Sequence, residues 1–553
     1  WREAKSRHRD SLLFFRVGDF YELFHSDAEE GSRLLGLTLT SRNNGAAARV
    51  PLAGIPAKAL DDYLARLVKM GRRVAICDQV EDPAQAKGIV KREVTETVTP
   101  GTVVADSLLS DRRNNFLVSI VGADEAGYAL ARLDVSTGEV AVKAVPKDEL
   151  RAEVGCLEPS EVLIPRALAE DEDLWKSVSG DVPRTLRDDW MFEEDVCTSE
   201  LLRVYGLQAL DGLGFQSGDA ELVRATGSLI QYLGEIRPSG VTHLKPVRVL
   251  RPGRVMLLDE MTRRNLELIE PMRGGEEGGT LLDVLDDTVT AMGGRQLRRW
   301  VLEPLVVTEE IWARQNAVSE LVDASELRQS LRDALGGVSD LERIAGKFGT
   351  LRVAPRDLMS LRISLQRLPL IQEACSGASS DLLRSLGVEI DLLEDIGDLL
   401  SDAIADDPPS TLHEGGVIRQ GWSAELDDIR EIRDGARDFI AGLQVRERER
   451  TGIGSLKVGF NKVFGYYLEV TKANLDKVPE DYVRKQTLTN GERYFTPELK
   501  QWEEKVFEAE DRIGSLEVEL FAGVREQVAE ALARLQDSGA RAASLDVLST
   551  LAE

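Results

Sequence analysis

At 553 residues the chain exceeds the length over which one hydrophobic core keeps growing, so about three to five domains are expected. Its 42% hydrophobic and 30% charged residues, without long Gly/Ser or Pro-rich tracts, exclude extended disorder, and no apolar run approaches the roughly 20 residues that span a bilayer. The net charge of −27 argues against nucleic acid unless the basic residues are gathered locally, because DNA affinity rests largely on Lys and Arg neutralising phosphates.

The first hundred residues are such a place. They hold 16 Lys/Arg against 14 Asp/Glu, a local +2 in an acidic chain. Leu12 to Phe15 and Arg73 to Cys77 read as strands, with two helices between them. In the second helix Leu60, Tyr63, Leu64, Leu67 and Val68 form one apolar face. A small mixed α/β domain is expected, ending near the turn signal Val98-Thr99-Pro100-Gly101. Within it, Asp19-Phe20-Tyr21-Glu22 has the spacing of a capping box, which predicts a helix starting after Asp19.

From Phe116 to about Val142 three strands follow, joined by tight turns, and then helices and loops to about Pro246. Asp134 lies on one of these strands. A two-metal nuclease site needs several convergent carboxylates, and the neighbouring strands offer none in a matching place. Beyond Pro252 the chain turns strongly helical. Two amphipathic stretches, Trp422 to Leu443 and Val506 to Leu532, are unusually long; about 35 helical residues reach on the order of 50 Å. Between them lies a second basic island, with 11 Lys/Arg against 8 Asp/Glu from Ala441 to Lys500. Its Leu456 to Phe460 and Gly465 to Val470 read as strands. Here Lys457, Lys462, Arg484, Lys485, Asn490 and Arg493 interleave with Phe460, Tyr466, Tyr467 and Tyr494, a composition suited to sequence-independent phosphate contact. A solvated basic face over a core of aromatics is the alternative.

Cys77, Cys156, Cys197 and Cys375 stand alone, and His8, His25, His243 and His413 lack metal-ligand spacing, so no metal site is expected. Trp1 to Lys5 lacks the apolar run of a signal peptide. Together with the absence of a membrane span, this predicts a cytosolic protein.

Seven runs of residues carry a resemblance to a known family. They are Phe14 to Phe24, Pro51 to Pro56, Val98 to Thr102, Asp259 to Leu268, Leu285 to Arg295, Arg446 to Gly452 and Arg484 to Tyr494. On these the chain resembles the MutS family of DNA mismatch-recognition proteins from its first residues to its last. The resemblance implies a multidomain α+β fold: a small mixed α/β recognition domain at 1–103, an RNase H-like α/β connector at 104–246, and a mainly α-helical core with the first lever helix at 247–436. A β-rich clamp inserted at 437–496 and a second lever returning to the core at 497–553 complete it.

The same resemblance implies that Phe20 wedges into the minor groove at mismatches and small loops, while Glu22 bonds the displaced base. Backbone contacts are expected from Arg42, Lys58 and the clamp's Lys457, Lys462, Arg484, Lys485, Asn490 and Arg493. Where Gly54-Ile55-Pro56 would be followed in bacterial members by an aromatic residue and a histidine, Ala57 and Lys58 stand here. The family's ATPase domain, with its G-x-x-x-x-G-K-[ST] phosphate loop, has no counterpart in this sequence; Ala345-Gly346-Lys347-Phe348 lacks the upstream glycine and the hydroxyl residue. The chain is therefore expected to be a non-enzymatic fragment, with ATP and Mg belonging to that other domain. The implied partners are mismatched double-stranded DNA, a second copy of the chain in a homodimer, and a MutL-type repair protein on the connector. A helical scaffold and a cryptic RNase H-like nuclease are the competing readings.

Overall fold

The computed structural model describes all residues except 43–49, 81–90, 124–126, 172–173, 176–181, 239–241, 252, 257, 273–277 and 462–464. The chain divides into two compact units. One comprises Trp1–Val353, Ile363–Glu394 and Ala529–Glu553; the other comprises Ala354–Arg362 and Asp395–Val528.

In the first unit, helix α1 (Arg2–Arg7) precedes a six-stranded sheet of β1 (Leu12–Val17), β2 (Phe20–Phe24), β3 (Thr40–Arg42), β4 (Val50–Pro56), β5 (Val74–Gln79) and β6 (Arg92–Val98). Its order is β3-β4-β2-β1-β5-β6, with β1 and β5 parallel and the other pairs antiparallel. Helices α2 (His25–Leu35) and α3 (Leu60–Lys69) cover one face through Leu35, Leu64, Leu67 and Val68, which pack on Phe14, Tyr21, Leu23, Ile55 and Ile76. On the other face, Leu13, Ala75 and Cys77 lie under Trp1, Phe15 and Val94.

The helix expected after Asp19 does not form. Phe20–Phe24 is a strand, entered through a two-residue turn in which Gly18 takes φ +57. The alternation of Phe20, Tyr21, Glu22, Leu23 and Phe24 fits a sheet buried on one side, and pairing with both β1 and β4 satisfies the backbone that a cap would have served.

A second sheet, in the order β11-β10-β7-β8-β9-β12, uses β7 (Leu117–Ala123), β8 (Gly127–Asp134), β9 (Glu139–Val145), β10 (Glu161–Pro165), β11 (Arg184–Arg187) and β12 (Arg248–Val249). Helix α4 (Leu150–Leu157) packs on one face. Helices α5 (Glu194–Tyr205) and α6 (Ala220–Ile236) pack on the other. β10 and β11 fall in the stretch read from sequence as helix and loop. In β10 the apolar run Val162-Leu163-Ile164 is short and buried on both faces, so it has no period to betray it, and β11 is only four residues long.

Farther along, helices α7 (Ala291–Leu302), α8 (Leu341–Gly349) and, near the end of the chain, Leu532–Leu551 dominate. They explain the run Met292-Gly293-Gly294-Arg295. Asp546 is fully buried and accepts from the Val289 and Thr290 amides (3.1 and 2.8 Å) and the Thr290 hydroxyl (2.6 Å). A Cβ on Gly293 would lie 2.1 Å from that carboxylate. Arg295 binds both Asp340 oxygens, at 2.6 and 2.9 Å, and Glu342 at 2.9 Å.

The second unit contains α9 (Ala424–Thr451, 28 residues) and most of α10 (Pro497–Glu530, 34 residues), about 42 and 51 Å long. Between them stands an antiparallel sheet, order β13-β14-β16-β15, made of β13 (Lys457–Asn461), β14 (Gly465–Thr471), β15 (Val483–Thr487) and β16 (Gly491–Phe495). α9 continues past residue 437, where the sequence reading began the clamp, and ends where Gly452 takes φ +65. Leu532, read as part of the long helix, instead opens the next one, α11 (Leu532–Leu551).

One buried ionic cluster gives a pH signature. Burial pushes the Glu139 carboxyl upward, but the guanidiniums of Arg299, Arg132 and Arg248 outweigh it and hold the group at about 2. An unfolded Glu titrates near ~4.3. The stability contributed by Glu139 is therefore present above pH ~4.3 and lost as pH falls toward 2. Melting curves between pH 6 and 2.5 should fall less steeply with acid in Glu139→Gln than in the parent, after correction for the lower starting stability.

Candidate nucleic-acid interface

Two separate surfaces carry the residues that sequence reasoning singled out. The first is the tip of the β1–β2 hairpin. Because β2 alternates, burial of Tyr21 (3% exposed) and Leu23 (0%) turns Phe20, Glu22 and Phe24 to the opposite side. Phe20 is 51% exposed, between Val17 of β1 and Pro56 of β4. Glu22 pairs with Phe15 and Gly54, so the neighbour on its β4 side has no side chain. Lys58 is exposed in the turn Ala57–Ala59, two residues after the strand partner of Phe20, and the Ala57 amide donates to the Asp19 carbonyl at 2.8 Å. Phe20 and Lys58 thus lie close together at strand ends, with Glu22 half-buried one strand period further along β2. Arg42 ends β3, and its side chain lies outside the described residues.

The hairpin is braced by residues that the sequence reading missed. Arg16 Nε donates to the Gly18 carbonyl at 2.5 Å, with its guanidinium 5.1 Å from the Tyr21 ring, and Arg92 Nε donates to the Arg16 carbonyl at 2.7 Å. Tyr21 Oη donates to Asp78 at 2.8 Å; burial and that carboxylate push the phenol up to about 12, so it stays a donor. These contacts exist only once β2 is a strand. A reading that made it a helix start had no signal for them.

The second surface is the outer face of the four-stranded sheet. Its inner face buries Leu468, Val470 and Tyr494 against Ala436, Ile440 and Leu443 of α9 and Leu499 and Val506 of α10. By alternation Lys457, Gly459, Tyr467, Glu469, Arg493 and Phe495 share the outer face. The Tyr467 ring lies over Gly459, where a Cβ would come within 2.7 Å of it. The Arg493 guanidinium stacks 4.1 Å from that ring and bonds Glu469 (3.1 Å) and Gln486 (3.0 Å). Lys485 Nζ sits 5.4 Å from the Phe495 ring, whereas Arg484, opposite Tyr494 in the register, is on the other face and pairs with Glu492 at 3.4 Å. Lys457 and Asn490 are exposed, whereas Lys462 lies outside the described residues. The outer face is thus an aromatic platform edged by cations that are partly neutralised by neighbouring acids.

Asp134 does not face a reaction site. It is fully buried, and one oxygen accepts from the Ser136 amide and hydroxyl (2.9 and 2.7 Å) while the other accepts from Asn114 Nδ2 and the Asn115 amide (2.8 and 3.2 Å). It closes the β8–β9 turn. Among the described residues no helix is long and apolar enough to cross a membrane.

Similarity to known proteins extends over most of the chain. Family models described as MutS domain I, MutS domain II and MutS domain III match residues 1–107, 115–245 and 261–552. Three relatives, each named DNA mismatch repair protein MutS, come from Symbiobacterium thermophilum (45% identical), Salinibacter ruber (43%) and Pelotomaculum thermopropionicum (45%). Each alignment covers all of this chain and 63%, 61% and 64% of the respective relative, so the chain spans less than two thirds of their length.

The placement of Phe20 outside the core makes a direct prediction. Phe20→Ala should lower unfolding stability by less than about 1 kcal/mol. Leu23→Ala, one strand period away from Tyr21 on the buried side, should cost about 2–5 kcal/mol in the same urea titration.

Proposed function

The chain belongs to the MutS family, and we propose that it recognises mispaired bases and small insertion or deletion loops in double-stranded DNA as the first step of mismatch repair. The observation that carries this reading is a large aromatic ring, half-exposed at the tip of a braced hairpin, on the same strand face as a carboxylate. A mismatch has lost pairing and some stacking, so the duplex kinks more cheaply there. Inserting Phe20 from the minor groove unstacks a base step at a cost of roughly a few kcal/mol, and that cost falls where pairing is already defective. Stacking on the displaced base returns about 1–3 kcal/mol whatever the base, so one ring serves many mismatches.

Glu22 sits one strand period from Phe20, and in this reading it makes a hydrogen bond to the displaced base. As a carboxylate it accepts from a base N–H; protonated in the negative potential of the duplex, it donates to a base acceptor. Either bond requires the base to have left its partner. Arg42 and Lys58 hold the backbone beside the hairpin. The sheet of the second unit acts as the clamp, with Lys457, Lys462, Arg484, Lys485, Asn490 and Arg493 contacting phosphates without reading sequence. The long helices α9 and α10 are its levers.

In the same account residues 104–246 form a connector of RNase H-like architecture that docks a MutL-type partner. The whole protein is a cytosolic homodimer, and ATP with Mg acts in a part of it beyond these residues, so this chain binds rather than catalyses.

Competition binding with a G·T duplex, a one-base-loop duplex and a paired control tests the proposal. The parent chain should prefer both lesions, and Phe20→Ala should lose that preference while keeping its fold; equal affinity for lesion and control in the parent would sink the reading. For the clamp, raising salt from 50 to 200 mM should weaken binding to paired DNA about a hundredfold, as neutralising about four phosphates would. A flat salt response would remove the electrostatic clamp.

A further inference from the structure

In a chain of net charge −27, one cavity of the larger unit is lined by cations. It has a volume of about 640 Å³ and is bounded by the end of β9, α4, β12 with the residues that follow it, and α7. Three of its cations are matched one to one: Lys143 with Glu153, Arg251 with Asp219, and Arg254 with Glu310. The others are not. Arg132, Arg299 and Arg248 crowd the single Glu139 carboxylate at 3.3, 3.5 and 3.6 Å, and Arg132 also meets Glu303 at 3.0 Å. Arg263 donates to the Ala152 carbonyl, and the Arg314 guanidinium lies 3.5 Å over the Trp300 ring. Apart from those pairs, five guanidiniums on the wall face two lining carboxylates, Glu149 and Glu303, with Glu139 shared among three of them behind it.

One donor on this wall lacks a partner, and two of its guanidiniums are held below their ordinary range. Arg132 is only 6% exposed, yet its Nε has no hydrogen-bond partner; a buried guanidinium donor left empty is costly unless water or a ligand fills it. Burial, with Arg299 as the next contributor, holds the Arg248 guanidinium below its ordinary range. Burial brings Arg314 to about 10, with Glu310 opposing and Arg299 adding to the fall. The cavity also has an apolar side, formed by Val249, Trp300, Leu302 and Leu305. Its volume is that of a small-molecule site, and planar guanidinium forks match phosphate oxygens in pairs.

We propose that this cavity binds a phosphorylated small molecule of nucleotide size, its phosphates held by Arg248, Arg299 and Arg314 and its less polar part against Trp300 and Leu305. Compact multiple charge distinguishes phosphates from a simple carboxylate here, because several guanidiniums converge on one region. Occupancy would draw β12 and α7 onto a shared anion, tightening the joint between the second sheet and the helices that follow it. The site is independent of the two DNA-binding surfaces.

Calorimetric titration of the chain at 50 mM salt with pyrophosphate, ADP and, at equal ionic strength, sulfate tests it. Pyrophosphate or ADP should bind saturably at one site, and Arg248→Ala and Arg314→Ala should each weaken binding at least tenfold while the unliganded variants still unfold cooperatively. Arg248→Lys should recover part of the loss, which separates lost charge from disturbed packing. Tighter binding of ADP than of pyrophosphate is expected from the apolar wall, and equal affinities would overturn the placement of a nucleoside there. Sulfate binding as tightly as either, no saturation below millimolar concentrations, or affinity unchanged in both alanine variants would overturn the proposal.

Discussion

A β-strand sends successive side chains to opposite faces, and β2 lies between two partners that fix its register. With Tyr21 and Leu23 committed to the core beneath α2 and α3, Phe20 and Glu22 have only the other face to occupy. A one-residue slip would bury the carboxylate and expose the core. The turn at Gly18, the Arg16 bond across it and the Tyr21–Asp78 bond all resist that slip. The proposed wedge is therefore not a loop that happens to carry an aromatic ring. It is the exposed half of a strand whose buried half anchors the domain.

The rest of the first unit gives this hairpin a stiff base. Glu96, on the edge strand of the first sheet, bonds Arg352 and, at 3.2 Å, Arg237, so three distant parts of the chain meet on one carboxylate. Glu161, the first residue of β10 in the second sheet, is fully buried and accepts from Thr99, the Gly101 amide, Thr185 and Tyr232. A Cβ on Gly101 would come within 2.9 Å of Glu161 Cβ, which accounts for the glycine in Val98 to Thr102. Removing one partner from such a site leaves a buried charge uncompensated, a cost of about 3–5 kcal/mol. Small residues and charged pairs at these joints are requirements of packing, distinct from the residues proposed to meet DNA.

Much of this architecture was legible in the sequence. The apolar face of α3 and the two long helices stood out because a 3.6-residue period is sustained there. The strands of the clamp showed through their β-branched and aromatic residues. Phe20 and Glu22 were reached through family resemblance, and the structure changed their setting from a helix start to a strand. The error arose because Asp19-Phe20-Tyr21-Glu22 satisfies a local capping pattern, whereas the long-range pairing of β2 with β4, more than 30 positions later, has no local signature. The same limit hid β10 and β11. Charge counting found the basic island but not its neutralisation, since the bonds of Arg493 to Glu469 and of Arg484 to Glu492 depend on strand register.

The central claim, that the Phe20 ring enters the duplex at a defect, is tested most directly by placing the fluorescent base 2-aminopurine next to a mismatch and measuring its emission as the chain binds. Unstacking by the ring predicts a rise in emission with the parent chain that is absent with Phe20→Ala at concentrations where the variant is fully bound. An equal rise with the alanine variant would mean that the base is unstacked by some other part of the protein, and would contradict the account.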